Sequence, residues 1–157
     1  MIIYPIKGDF MLSSLKIHNK INFAYHITHK NNMVKIIKKG LIPQCGQNCN
    51  RVGDHFVGVY FVPSLEGIYD FWMNNIYDNE DIDSLIILRF DVTKMKIIQL
   101  HPALKLSSGK WDPGEWIVQK KIKPQKIEYL ANISDANIEY DKEKQLWLPI
   151  KQYKLIK

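Results

Sequence analysis

The helix signals in this chain are few and come early, and that order limits the folds open to it more than any count does. One helix is punctuated from end to end over residues 31–39, NNMVKIIKK. Met33, Ile36 and Ile37 fall at i, i+3 and i+4 and make one apolar stripe. Asn31 or Asn32 can cap its start. Gly40 fits the left-handed position past the last turn, Leu41 can fold back on that turn, and Pro43 prevents resumption. A second helix opens at Pro63-Ser64, with Ser64 as its N-cap, and runs to about Asn75. The remaining regular segments read as strands: 23–28 (FAYHIT), 56–62 (FVGVYFV), 85–92 (LIILRFDV), 96–100 (KIIQL), 115–119 (EWIVQ) and 127–133 (IEYLANI). Residues 44–55, 76–84 and 101–114 read as loops, the last rich in turn formers. The tail, with LWLPIKQYKLI, can add an edge strand. Strand, helix, strand, helix, then mostly strands is an α+β order, not the alternation of a doubly wound sheet.

The 157 residues suit one domain, with 1–22 a possible N-terminal arm, 23–133 the core and 134–157 a C-terminal edge element. Hydrophobic residues at 46% against 24% charged residues mark a globular chain. No apolar run reaches the ~18 residues that span a bilayer, so no membrane partner is expected. The start, MIIYPIKGDFMLSS, lacks a basic region followed by a long apolar one, so a signal peptide is not expected. Two cysteines, Cys45 and Cys49, are too few for a disulfide framework. The expectation is free thiols and a cytoplasmic protein. The net charge of +6 and pI near 9.2 favour an acidic partner, nucleic acid or a phosphate-bearing small molecule. Arg51 and Arg89 are the only arginines among 22 cationic residues. Bidentate guanine and phosphate recognition prefers arginine, which disfavours a sequence-specific DNA reader.

Most of the remaining polar features have ordinary meanings. Cys45 and Cys49 at C-x3-C, with His55 nearby, fall short of the four firmly spaced ligands of a zinc site. Asp78, Glu80, Asp81 and Asp83 lack the Gly and closing Glu of a calcium loop and read as a solvated turn. The run KKIKPQK at 120–126 is a solvated turn or a nucleic-acid patch. His29 reads as a cap or surface group at the helix start. Three segments stand apart from these. YHIT at 25–28 ends a strand before the first helix. GVYF at 58–61 is a strand, with Tyr69 nine residues beyond Tyr60. GEWIVQKKIKPQKIEYL at 114–130 opens a late strand with Glu115.

A strand-borne His, a strand-borne Tyr and a Glu opening a late strand, in that order, resemble the ADP-ribosyltransferase superfamily in its H-Y-E branch. The resemblance covers roughly residues 24–130 and extends to the catalytic core of poly(ADP-ribose) polymerases. The HITH-plus-helix segment also looks like the toxins that ADP-ribosylate DNA. It implies an α+β fold with a split mixed or antiparallel sheet, few helices and an NAD⁺ cleft between the sheets. It implies NAD⁺ as co-substrate and no metal. Glu115 would accept a hydrogen bond from the ribose 2′-OH and stabilise the oxocarbenium-like transition state. Tyr60 and Tyr69, or Phe71 if the helix is phased differently, would sandwich the nicotinamide ring. His26 would bind the adenine-side ribose or the pyrophosphate region, with Thr28 a second contact and Arg51 holding the diphosphate or the target. Two positions depart from the pattern. Ile27 stands where many members have Gly, and Pro113 stands two residues before Glu115, where members that modify arginine carry an acid or amide. The acceptor implied is therefore a nucleic-acid base or another protein side chain. By analogy such a domain suits a toxin or phage effector, with an antitoxin or host protein as partner. The alternatives are an RNA 2′-phosphotransferase on the same fold, a non-catalytic module for NAD⁺, ADP-ribose or nucleic acid, and a basic inhibitor of a host protein.

Overall fold

The computed structural model describes residues 21–45, 56–69, 79–100, 104–105, 111–112, 114–132 and 145–155. It is a small α+β protein built on antiparallel sheets with few helices. β1 (Phe23–His29) leads through a 3-10 turn at Lys30–Asn32 into α1 (Met33–Lys39). β2 (Val59–Phe61) is followed by the short α2 (Leu65–Gly67), and β3 (Leu85–Asp91) by β4 (Ile98–Gln99). β5 (Leu104–Lys105), β6 (Trp111–Asp112), β7 (Trp116–Val118), β8 (Ile127–Leu130) and β9 (Trp147–Pro149) complete the order. One sheet runs β1-β3-β8-β9, a second β2-β7-β4, and β5 pairs with β6. Every pairing between these strands is antiparallel.

The four-stranded sheet is buried on both faces near β3, which is why LIIL reads as an unbroken apolar run. Ala24, Ile86, Leu88, Phe90 and Ile127 turn to one side. There they meet Val59, Phe61, Trp116 and Val118 of the second sheet and Met33 and Ile36 of α1. Phe61 and Phe90 join the two sheets edge to face, centroids 6.1 Å apart. Ile27, Leu85, Ile87 and Leu130 turn to the other side, where Val62, Leu65 and Ile68 cover them. The alternation follows from the pleat, since successive residues point to opposite faces.

Several expectations are corrected. Residues 101–114 hold the β5–β6 pair, so this stretch is not loop throughout. Asn32 occupies the N-cap of α1 but makes no capping bond; its side chain donates to Thr28 Oγ1 instead (2.8 Å). Gly40 has the positive φ foreseen for it, 78°, but its ψ of −167° is extended rather than left-handed helical. That region is open essentially to glycine alone. Cys45 is disulfide-bonded, which overturns the expectation of a free thiol; Cys49, the one other cysteine, lies outside the described residues. Ser64 caps α2 as foreseen, accepting from the Gly67 N–H at 3.0 Å. The second helix is seen as α2 with its continuation to Tyr69, and residues 70–75 lie outside the described residues. Ile21, placed in the N-terminal arm by sequence, is buried in the core, and β9 forms the edge strand foreseen for the tail. No helix among the described residues is long and apolar enough to cross a membrane.

Candidate active site

Besides their packed faces, the two main sheets are linked among the described residues by an antiparallel backbone bridge. Tyr25 N–H donates to Val62 C=O at 2.9 Å, and Val62 N–H to Tyr25 C=O at 3.0 Å. On either side of it the chains part company. β1 runs on paired with β3, while β2 runs back paired with β7. His26 follows the bridge, and its Nδ1 lies 2.6 Å from the Tyr60 carbonyl oxygen. A carbonyl only accepts, so Nδ1 carries the proton. Partial burial pulls the pKa of His26 below its ordinary value, with the Tyr60 carbonyl opposing that pull. That shift favours the neutral ring, in which Nε2 is the acceptor nitrogen.

Thr28 sits two residues along on the same face of β1, and Asn32 donates to its Oγ1. The hydroxyl proton is not used by that bond, so Thr28 retains a donor. Tyr60 is held at both ends. Its OH donates to the Phe56 carbonyl, and its ring packs against the cluster of Ile27, Val62, Leu65, Ile68, Leu85, Ile87 and Leu130. Tyr69, arriving from the turn that follows α2, packs against the same cluster. The glycine of GVYF has a packing reason: a Cβ at Gly58 would lie 2.8 Å from the Cβ of Ile117. Only a residue without a side chain lets β2 begin flat against β7 there.

Gly114 turns the chain onto β7 with φ 82° and delivers Glu115. Leu100 N–H donates to the Glu115 carbonyl at 2.8 Å and fixes that backbone. Glu115 is 3% exposed, so its carboxyl is enclosed rather than on the surface. Tyr60 pairs directly with Ile117. Glu115, two residues before Ile117, is therefore a diagonal neighbour of Tyr60 on the same face. Trp116 and Val118 alternate into the opposite core. The fold thus sets His26 on β1, Tyr60 on β2 and Glu115 directly before β7, with the His26 side chain on the face of β1 opposite Tyr25 and Ile27, which pack with Tyr60. Tyr69 shares an apolar cluster with Tyr60 alone of the three, Thr28 lies on the His26 face of β1, and Arg51 lies outside the described residues, as does Phe71.

Sequence reasoning gave Arg89 no role. Its guanidinium lies between the Phe23 ring (4.6 Å) and the Trp147 ring (4.4 Å), and its Nε donates to Glu128 Oε1 at 2.9 Å. Burial raises the pKa of the adjoining Tyr25, with Arg89 opposing the shift. Register alone could have suggested the group, because Tyr25, Arg89 and Glu128 lie in one row across β1, β3 and β8. Among the described residues, no group of three or more His, Cys, Asp or Glu side chains is placed to hold a metal ion. Compared with protein-family models, with curated proteins and with solved structures, the chain matches none.

Proposed function

We propose that this protein is an NAD⁺-dependent ADP-ribosyltransferase that passes ADP-ribose to a macromolecular acceptor, a nucleic-acid base or a protein side chain. The observation that carries the reading is that Tyr60 links the other two residues, its carbonyl bonded to His26 Nδ1 and its side chain diagonal to Glu115 across β2 and β7. In this reading the two sheets are the split sheet of that superfamily, and NAD⁺ lies where they part, against the Tyr60 and Glu115 side of β2 and β7 rather than in the packed core. The neutral His26 accepts a hydrogen bond from a ribose hydroxyl through Nε2. Tyr60 and Tyr69 flank the nicotinamide ring and exclude water from it. Glu115 accepts from the 2′-OH of the nicotinamide-side ribose. As the C1′–N bond breaks, nicotinamide leaves with the electron pair, and the carboxylate offsets the positive charge developing on the ribose. The acceptor nucleophile then bonds to C1′, and its proton passes to solvent water. An enclosed carboxylate suits this task, because its field is least weakened where water is excluded.

The test is transfer of label from adenine-labelled NAD⁺ to single-stranded DNA, RNA and lysate protein, offered separately. Label bound covalently by one acceptor with the wild type, and lost with Glu115→Gln, is the expected result. NAD⁺ that raises the melting temperature without any transfer would reduce the reading to a binding module. The absence of both transfer and shift would overturn it.

A further inference from the structure

Half of the chain's lysines lie in three segments that are remote in sequence and contain no acid. These are residues 30–45 (Lys30, Lys35, Lys38, Lys39), 119–127 (Lys120, Lys121, Lys123, Lys126) and 145–155 (Lys151, Lys154). The fold packs them side by side. α1 rests on the 3-10 turn Pro124–Lys126, and that turn rests on the 3-10 turn Ile150–Gln152. Gly40 makes the first contact possible, since Leu41 and Ile122 exchange backbone hydrogen bonds of 3.0 and 2.9 Å directly beside it. The apolar side of α1, Met33 and Ile36, is spent on the core, which leaves Lys35, Lys38 and Lys39 outward. Lys120, Lys121, Lys123, Lys126, Lys151 and Lys154 are likewise exposed. Among the described residues the ion pairs are His29–Glu80 and Arg89–Glu128, so none of these lysines is neutralised that way. The carboxylate whose field Lys126 reaches is Asp91, itself bonded to Thr93. The ten lysines also separate the charge of the molecule. Outside the three segments the chain has twelve cationic residues against sixteen acidic ones, a negative balance.

We propose that this lysine face binds the phosphate backbone of a nucleic acid without reading its sequence. Lysines are point charges on flexible stems, matched to a repeating line of phosphates rather than to base edges. A membrane surface fits less well, because an interfacial helix needs a broad free apolar face, whereas Met33 and Ile36 of α1 are buried and Val34 is its one exposed large apolar residue. β1 and β7 both run from the His26 and Glu115 end toward this face. Glu115 and Lys120 are five residues apart, roughly 17 Å along an extended chain. A strand held on the lysines therefore passes within reach of the candidate site. The binding itself needs no NAD⁺, so it stands or fails apart from the transferase reading.

The test is fluorescence anisotropy of the full chain with a labelled 20-nucleotide single strand, as DNA and as RNA, over 50–200 mM NaCl without NAD⁺. The wild type should bind with affinity falling steeply as salt rises. Replacing Lys38, Lys39, Lys121 and Lys123 together by Gln should weaken binding on the order of 100-fold at low salt and flatten the log–log slope by about 0.7 per lysine in contact. The same four positions changed to Arg should retain both affinity and slope, and Lys105→Gln, on the β5–β6 hairpin, should change little. If the Gln variant melts early, Lys120→Gln with Lys154→Gln gives the same test with half the expected loss. No binding at 50 mM salt, an unchanged slope in the Gln variants, or capture only by phosphatidylserine vesicles would overturn the proposal.

Discussion

Replacing Gly40 by Ala should cost far more than a glycine at a helix end ordinarily does. The reason is local and can be followed atom by atom. At φ 78° an alanine enters a region that side chains rarely adopt, at roughly 1–3 kcal/mol. A Cβ there would lie 1.9 Å from the Ile122 carbonyl oxygen, so the two backbones must separate. Separation strains or breaks the reciprocal Leu41–Ile122 hydrogen bonds, each worth roughly 0.5–1.5 kcal/mol. It also loosens Leu41 and Ile122, both buried in the main core. The expected loss is about 3–5 kcal/mol, a large part of the roughly 5–15 kcal/mol that holds a domain together. Urea unfolding read by circular dichroism measures it. With a slope of about 2 kcal/mol/M, the midpoint should fall by roughly 1.5–2.5 M. A loss under about 1 kcal/mol, or the gain that Gly→Ala ordinarily gives within a helix, would refute the close approach of α1 to the 120–126 turn.

Two further predictions rest on other contacts. Burial holds the folded-state pKa of His26 below its value of 6.5 in the unfolded chain. As pH falls from about 6.5 toward the lower folded value, the unfolded chain takes up a proton that the folded one does not. Stability should then fall by up to about 1.4 kcal/mol per pH unit. In His26→Gln that acid slope should diminish, while stability at pH 8 changes comparatively little. An identical pH profile in the two proteins would contradict the burial of the ring. Arg89→Lys keeps the charge but gives up the planar group stacked between Phe23 and Trp147. Thermal unfolding should show a loss of about 1–2 kcal/mol. A double-mutant cycle of Arg89→Gln with Glu128→Gln should assign less than about 1 kcal/mol to the ion pair, because both side chains keep contact with water (22% and 35% exposed). Coupling well above that would reverse the ranking of stacking over charge.

The parts of this fold that sequence makes legible are those specified by neighbours along the chain. α1 is bounded by its apolar stripe, its glycine and its proline within thirteen residues. β3 announces itself because a strand buried on both faces has no polar alternation to interrupt it. The parts that escape are those decided across the fold. The two-residue strands β5 and β6 are too short to have a period, so their turn-forming surroundings read as loop. His26 is held by a backbone carbonyl 34 residues away, and a carbonyl has no residue-type signature. Glu115 is enclosed because Gly114 and the β2–β7 register carry it inward, although a glutamate that opens a strand reads as a surface residue. The three lysine segments read as a helix, a solvated turn or nucleic-acid patch and an edge strand, unconnected until the Gly40–Ile122 contact and the packing of the two 3-10 turns set them together. The disulfide at Cys45 is invisible for another reason. Two cysteines define a spacing but no oxidation state, and disulfides persist mainly in oxidising surroundings, so the cytoplasmic expectation loses one of its supports.

The central claim is that Glu115 promotes cleavage of the nicotinamide bond of NAD⁺. Nicotinamide release, followed by chromatography for the wild type and for Glu115→Gln in the presence of single-stranded nucleic acid, tests it most directly. The account predicts release by the wild type and a fall of about 10²–10³-fold in the variant, the scale of losing one preorganised electrostatic group. NAD⁺ should still raise the melting temperature of both proteins. Equal release by the two proteins, or no release with no shift in melting temperature, would contradict the account.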